Sequence, residues 1–244
     1  MHRFYCAIQN ISQDKIIISD KLQIHHLKDV LRLKPGNEII IFDDKGNEYR
    51  SIIEKLLPNA VTVMIKDRQK FVPALKPRIT IACAVPKKSK MDDIVDKLTQ
   101  LGVERIIPLE TERVVIKLDK HKRILRQKRW EKIALSASQQ SQRSAVPVIE
   151  PIKDIKEVLS KLEDFDLKLI PTLTDERKSL KEILTQVNPK NILILIGPEG
   201  DFTLEEIDMA SKVGCIPVSL GELVLRVDTA AIAVISILNY ALSY

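Results

Sequence analysis

Arg226 and Asp228 stand two residues apart in "GELVLRVDTAAIAVISILNYAL", directly before a segment that is apolar almost throughout. A charge at the mouth of such a segment is costly unless it is paired or used. One solution is a mutual salt bridge, with Asp228 also capping a helix at its N-terminus. The other is chemistry: a fixed guanidinium that stabilises charge developing on a reacting group, beside a carboxylate that orients it or takes a proton. Two glycine-bearing stretches, "LIGPEGDF" and "SLGELVLR", lie in the same part of the chain. Gly197, Gly200 and Gly221 each follow an aliphatic run, where a missing Cβ lets the backbone approach a ligand closely. Pro198 stiffens its loop. Main-chain N–H and C=O groups there suit an adenine edge, and Leu220, Leu223, Val224 and Leu225 suit its faces. Ordinary strand-to-helix turns would carry the same glycines.

Other chemistries lack their residues. No G-x-G-x-x-G marks a dinucleotide turn, no G-x-x-x-x-G-K-[ST] a phosphate loop and no G-x-S-x-G a serine nucleophile. His25 and His26 are adjacent, His2 and His121 stand alone, and no Cys or His lies at ligand spacing, so no metal site is expected. Cys6, Cys83 and Cys215 are far apart and odd in number, which suits reduced thiols in a cytoplasmic protein. The opening "MHRFYCAIQN" is too polar for a signal peptide. No apolar run reaches the ~20 residues of a membrane helix.

The elements that must position the glycine loops follow from periodicity. "KIIISD", "NEIIIFDDKGNEYRSIIEKL" and "AVTVMIKD" read as short strands, with a hairpin turn at "DDKGNE". Between them "QIHHLKDVLRL" places Ile24, Leu27, Val30 and Leu31 on one helical face and stops at Pro35-Gly36. The first seventy or so residues thus read as a small barrel, with a linker near residues 71–77 in "FVPALKPR". The remainder alternates. "RITIACAV", "VERIIPLE", "LKLIP", "NILILIG" and "CIPVSLG" read as strands. "MDDIVDKLTQLG" is a helix with Met91, Ile94, Val95, Leu98 and Leu101 on one face, ended by Gly102. "RWEKIALSASQQSQR" is a helix with Trp130, Ile133 and Ala137 opposite Ser136, Gln140 and Arg143. "TLEEIDMASKVG" opens with a capping box of Thr203 and Glu206, and "DTAAIAVISILNYAL" is the last helix. Strand–helix alternation points to a parallel sheet covered on both faces.

Charge divides the chain further. Residues 73–150 hold 17 Lys and Arg against 9 Asp and Glu, whereas residues 151–244 hold 10 against 15. A basic middle beside an acidic end suits a polyanion on one face and a different ligand elsewhere. With 45% hydrophobic and 30% charged residues in 244, the chain has the means to bury a real core and is not disordered.

At this level the residues resemble a family. "GPEG-x-F-[ST]-x-x-E" followed by "SLG-x-x-x-LR-x-[DE]-TA" is similar to the C-terminal domain of SPOUT methyltransferases, and more narrowly to bacterial 16S ribosomal RNA uridine-N3 methyltransferases. "RFY" at residues 3–5, "HHLKDVLRLKPG" at 25–36, "KKSKMDDIVDKLTQLGV" at 87–103 and "QSQR" at 140–143 resemble that family in the same order, so the likeness spans nearly the whole chain. The resemblance implies an α/β fold with a PUA-like RNA-binding β-barrel over residues 1–72. A trefoil-knotted, parallel-sheet domain that binds S-adenosylmethionine would occupy residues 73–244. It also implies a homodimer with the cofactor site near the interface. Carried over residue by residue, the cofactor site takes in Leu173, Gly197, Glu199, Gly200, Leu220, Leu225, Arg226, Thr229 and Ala230. Three departures from the pattern involve four positions. Asp201 stands where the family has glycine, Asp228 is one methylene shorter than the usual glutamate, and Ser136 and Gln139 replace acidic residues.

The implied reaction is methyl transfer to ring N3 of a uridine in 16S ribosomal RNA of the small subunit. The uridine must lose its N3 proton, and negative charge spreads to O2 and O4. Arg226 and Asp228 are the catalytic candidates, as the cation and its partner or base. Arg3, Arg32, Lys87, Lys90, Gln140 and Arg143 are the RNA-contact candidates, since phosphate contacts position a nucleic acid without reading it. A non-catalytic RNA-binding protein on the same fold, or a SPOUT enzyme acting on another RNA, remains the alternative.

Overall fold

The computed structural model describes residues 1–43, 45–70, 77–86, 90–113 and 119–242. The expected linker at 71–77 falls almost wholly outside them, as does Lys87. The chain forms two compact units, Met1–Pro73 with Ser138–Val146, and Ala74–Ala137 with Pro147–Tyr244. Residues 138–146, expected with the second domain, thus pack with the first unit.

In the first unit, five strands form one sheet: β1 (Arg3–Tyr5), β2 (Lys15–Ile18), β3 (Glu38–Phe42), β4 (Glu48–Leu57) and β5 (Ala60–Gln69), in the order β1-β3-β4-β5-β2. All pairs are antiparallel except β1 with β3. β1 and β2 are both edges, so the expected barrel is a half-barrel. Alternate residues point inward, which puts Ile16, Ile18, Ile39, Ile41, Val61 and Val63 in one core. Helix α1 (Lys21–His25), capped by the Asp20 side chain on the Gln23 N–H at 2.9 Å, closes one side.

The expected amphipathic helix here differs in one respect. After His25 the chain runs on as a π-helical turn, His26–Val30, with the Leu31 N–H donating to the His26 carbonyl. The wider turn rotates the following residues off the 3.6-residue stripe. Ile24 and Leu27 are buried as the spacing predicts, but Val30 is 59% exposed.

The second unit is a parallel sheet in the order β11-β13-β10-β12-β6-β7-β8. In chain order its elements are β6 (Arg78–Ala84), α2 (Lys90–Gln100), β7 (Arg105–Glu110), α3 (Lys120–Gln140), β8 (Val148–Ile149), β9 (Lys153–Asp154), α4 (Ile155–Leu159) and β10 (Leu167–Pro171). They continue with β11 (Lys178–Ser179), α5 (Leu180–Leu184), β12 (Asn191–Ile196), α6 (Leu204–Lys212), β13 (Ile216–Ser219) and α7 (Val227–Leu242). The central strands β6 and β12 are buried along nearly their whole length, which is why they read as unbroken aliphatic runs. Each fully buried Ile or Leu there stabilises the fold by about 2 kcal/mol.

Local signals hold at several helix ends. Gly102 ends α2 with φ 89°, and the Val103 N–H donates to the Leu98 carbonyl at 3.1 Å. The capping box of α6 is complete, with Thr203 accepting from the Glu206 N–H and Glu206 from the Thr203 N–H. Helix α3 stops at Gln140, so Arg143 lies beyond it and does not share the helical face of Ser136 and Gln140. The last helix, α7, buries Ala231, Val234, Ile235 and Leu238 against α2 and β6, and Asn239 donates to the Leu101 carbonyl at 2.7 Å. Among the described residues no helix is long and apolar enough to cross a membrane.

Candidate active site

β10, β12 and β13 are adjacent parallel strands, and their carboxyl ends release three loops around one cleft. Loops that leave such strand ends are where an open parallel sheet can hold a ligand. Leu173 comes from the first loop, Gly197 and Glu199 from the second, and Leu220, Leu225 and Ala230 from the third and the start of α7. Those six expected cofactor residues line the cleft. Leu223 and Val224 join them and are 80% and 72% exposed, an apolar rim with nothing packed on it.

Glycine at 197 is favoured by packing. A Cβ there would stand 3.0 Å from the Phe202 ring and 3.1 Å from its backbone N. Phe202 is 2% exposed, so a side chain at 197 would press on the core. Gly221 is required by conformation, with φ 133°. The Ser219 hydroxyl fixes it, donating to the Gly221 carbonyl at 3.0 Å and accepting from its N–H at 3.2 Å. Gly200 does not line the cleft. Its carbonyl accepts from Arg113, whose guanidinium also donates to the Phe202 carbonyl at 3.3 Å.

Asp201 adopts φ 61°, a conformation that costs a residue with a Cβ about 1 kcal/mol and that Asp tolerates better than most. Its two carboxylate oxygens accept from Thr172, Leu173 and Phe202. Among the described residues, Arg177 is the cation that lines the cleft, held by donation to the Thr172 carbonyl at 3.3 Å. Sequence reasoning missed Thr172 and Arg177, since "TLTDERK" carries no spacing that marks a site. It also missed the Arg113–Gly200 bond, which joins residues 87 apart.

Asp228 lies in the first turn of α7, and its Oδ1 is buried with no hydrogen-bond partner among the described residues. No ion pair there joins it to Arg226, so the salt-bridge arrangement is not the one adopted. Arg226 is exposed, does not line the cleft, and its carbonyl accepts the Ala230 N–H at 2.8 Å as α7 begins. Thr229 is likewise exposed and off the cleft wall. Asp228 and Glu199 both act on Cys83. Burial first, then those two carboxylates, push its thiol up to about 12. Cys83 is therefore no nucleophile at neutral pH, and the two carboxylates share one electrostatic neighbourhood. Among the described residues no group of three His, Cys, Asp or Glu is placed to hold a metal ion.

The RNA-contact candidates separate by environment. Arg3 is engaged: its side chain is 9% exposed, it pairs with Glu48, and it stacks over the Phe42 ring at 5.9 Å. Burial would raise the Glu48 carboxyl, but bonds from Arg3 and Ser144 hold it below the ordinary value. Arg32 is exposed with φ 52° after the π-turn. Lys90 opens α2, Gln140 ends α3 exposed, and Arg143 is half-buried after Gln142, whose φ is 58°.

Comparison with known proteins matches this architecture. Residues 74–239 match the RNA methyltransferase domain family and residues 18–66 the RNA methyltransferase PUA domain family. Ribosomal RNA small subunit methyltransferase E of Mesomycoplasma hyopneumoniae is 33% identical, over 95% of this chain and 96% of that protein. The solved structure of a ribosomal RNA small subunit methyltransferase E from Neisseria gonorrhoeae, bound to S-adenosyl methionine, superposes with a TM-score of 0.87 at 30% identity, covering 98% of this chain and 97% of that one. A methyltransferase structure from Legionella pneumophila in complex with the same cofactor gives a TM-score of 0.87 at 29% identity, with 98% and 97% coverage.

Proposed function

The chain belongs to the ribosomal RNA small subunit methyltransferase E family, and on that premise we propose that it methylates ring N3 of a specific uridine in 16S ribosomal RNA, using S-adenosylmethionine. The observation that carries the reading is the cleft beyond β10, β12 and β13, with its packing-favoured glycine, apolar rim and neighbouring unpartnered carboxylate. These residues fit the cofactor. Leu220, Leu223, Val224 and Leu225 offer apolar faces to an adenine, main-chain groups of the glycine loops offer its edge partners, and Glu199 offers negative charge to a sulfonium or ammonium.

Bound S-adenosylmethionine supplies an electrophilic methyl group, so the protein's work is chiefly positioning. In the proposed step the uridine N3–H proton passes to the carboxylate of Asp228, which follows the cleft-lining Val227 at the start of α7. N3 forms its bond to the methyl carbon as the carbon–sulfur bond breaks, and the sulfur keeps that electron pair. Arg226, exposed beside the cleft-lining Leu225 and Val227, stabilises the charge spreading to O2 and O4. Gly200 and Thr229 enter as loop and helix-start positions that hold the neighbouring lining residues.

We propose a PUA-like RNA-binding domain over residues 1–72 and a methyltransferase domain over residues 73–244, with RNA contacts contributed by both. Arg32, Lys87, Lys90, Gln140 and Arg143 are the phosphate and base contacts, with affinity falling as salt rises. Arg3 is left out because Glu48 holds it. A target base inside folded RNA must be turned out to reach the cleft. Such a substrate places the work in the cytoplasm. We further propose a homodimer through α7, where Tyr240 is 92% exposed and Ile237 38%. A groove there shares Leu220 and Gly221 with the cleft, so a second copy seated on it would border the cofactor. Light scattering in solution tests it: a dimer mass supports the assignment and a monomer mass contradicts it.

The reaction itself is tested by incubation with S-adenosylmethionine and small ribosomal subunits that lack the modification, then digestion and mass spectrometry of nucleosides. Stoichiometric 3-methyluridine is expected. A different methylated nucleoside would contradict the atom or base, and no methyl transfer would favour a protein that only binds RNA.

A further inference from the structure

Asp201 belongs to the loop that follows β12, yet its carboxylate reaches the loop that follows β10. Oδ2 accepts from the Thr172 hydroxyl at 2.9 Å and from the Leu173 N–H at 2.8 Å, and Oδ1 accepts from the Phe202 N–H at 2.8 Å. The backbone is bent to allow this, with φ 61° and the Asp201 N–H closing a turn onto the Pro198 carbonyl at 3.0 Å. Glycine or asparagine would meet that φ at least as easily, so the turn alone does not call for a carboxylate.

Both loops joined in this way wall the cleft. Thr172, Leu173 and Asp201 all line it. Thr172 is 6% exposed and is tied onward, its N–H donating to the Val218 carbonyl of β13 at 3.2 Å and its own carbonyl accepting from Arg177 at 3.3 Å. On the other side of the latch Phe202 is locked in the core, its ring against the Gly197 position. One carboxylate therefore couples three strand ends.

We infer that Asp201 is a positioning residue that latches the Thr172–Leu173 loop to the Gly197–Thr203 loop and so sets the cleft's affinity for its cofactor. The inference rests on the cofactor reading above. Asp201 touches no reacting atom. Its effect passes through Thr172 and Leu173, which keep their place in the cleft wall only while the carboxylate accepts from both.

Calorimetric titration with S-adenosylmethionine tests this on the wild type, Asp201→Gly, Asp201→Asn, Thr172→Val and the double variant Asp201→Gly/Thr172→Val. Asp201→Gly is expected to weaken binding about tenfold, as two loop-crossing hydrogen bonds are lost while the backbone is relieved. Asp201→Asn keeps φ accessible but has one acceptor oxygen for three donors, and about threefold is expected. Thr172→Val removes one donor with little change of shape, again about threefold. Added to Asp201→Gly it should cost nothing more, because its acceptor is already gone. The KM for cofactor should follow these losses, with turnover at saturating cofactor within about twofold of wild type.

Wild-type-like affinity in both Asp201→Gly and Thr172→Val would overturn the latch, and so would losses that simply multiply in the double variant. If the wild type itself bound no cofactor, the cofactor reading would fall first and the latch with it. Melting temperatures of the cofactor-free proteins separate loss of fold from loss of the latch. Thr172→Val, a near-isosteric change, keeps the inference exposed to refutation if Asp201→Gly does not fold.

Discussion

Asp43, in the β3–β4 turn of the first unit, is fully buried and gives its two carboxylate oxygens to four donors: the Lys45 and Asn47 N–H groups, the Asn47 side-chain amide and the Tyr49 hydroxyl, all at 2.8–2.9 Å. Asp228, at the start of α7 in the second unit, has one oxygen equally hidden from solvent and no donor for it among the described residues. The same chemical group is thus spent in one place and left open in the other. A satisfied carboxylate fixes a turn. An unsatisfied one weakens the fold, and under the proposed reaction the substrate would complete it. Arg3 and Glu48 in the first unit extend the contrast with Arg226 and Glu199 in the second, where both are exposed.

The sharpest way to break this contrast is to neutralise each aspartate. Asp228→Asn should lower single-turnover methyl transfer on the order of 100-fold or more while the melting temperature stays level or rises. A variant that kept its rate would leave Asp228 with no part in the chemistry. Asp43→Ala should do the reverse, costing about 3 kcal/mol of stability in urea titration by stranding several donors. Cofactor affinity in protein that remains folded should not change. Between these lies Gly197→Ala, whose methyl would press on the buried Phe202 and should weaken cofactor binding about tenfold, or about 1.4 kcal/mol, in calorimetry.

The smallest effect expected is a pH dependence confined to the first unit. The Glu48 carboxyl is held below its ordinary value of 4.5 in the fold, so it binds fewer protons when folded than when unfolded. Its stabilisation is present above about pH 4.5 and drains away as the pH falls through the lower folded value. Glu48→Gln should remove that part of the acid sensitivity, which stability curves between pH 3 and 6 would register.

Much of the second unit is legible in the sequence because parallel strands buried on both faces leave unbroken aliphatic runs, as in "NILILIG" and "RITIACAV". Gly102 and the Thr203–Glu206 box mark helix ends through local chemistry, and local chemistry survives folding. What escaped depends on distance or on a change of pitch. The two-residue strands β8, β9 and β11 are too short to carry a period. The π-turn at His26–Val30 is invisible to a 3.6-residue template and so misplaced Val30. The insertion of β13 between β10 and β11 is set by pairing across the whole unit. In the site, Gly197 and Gly221 were readable as glycines on the cleft loops, whereas Gly200 lies off the cleft wall. The grip of Arg113 on Gly200 and of Asp201 on Thr172 belongs to tertiary structure alone, since it joins residues 87 and 29 apart.

The most direct test of the account is a crystal structure of this protein with S-adenosylmethionine bound. A bent cofactor is expected between the Gly197–Thr203 and Leu220–Leu225 loops, its adenine against Leu220, Leu223, Val224 and Leu225. Glu199 and Asp228 would be the carboxylates nearest the sulfonium, and Asp201 would still be bonded to Thr172 and Leu173. A cofactor seated elsewhere, or one that fills the cleft with its methyl group turned away from Asp228, would contradict it.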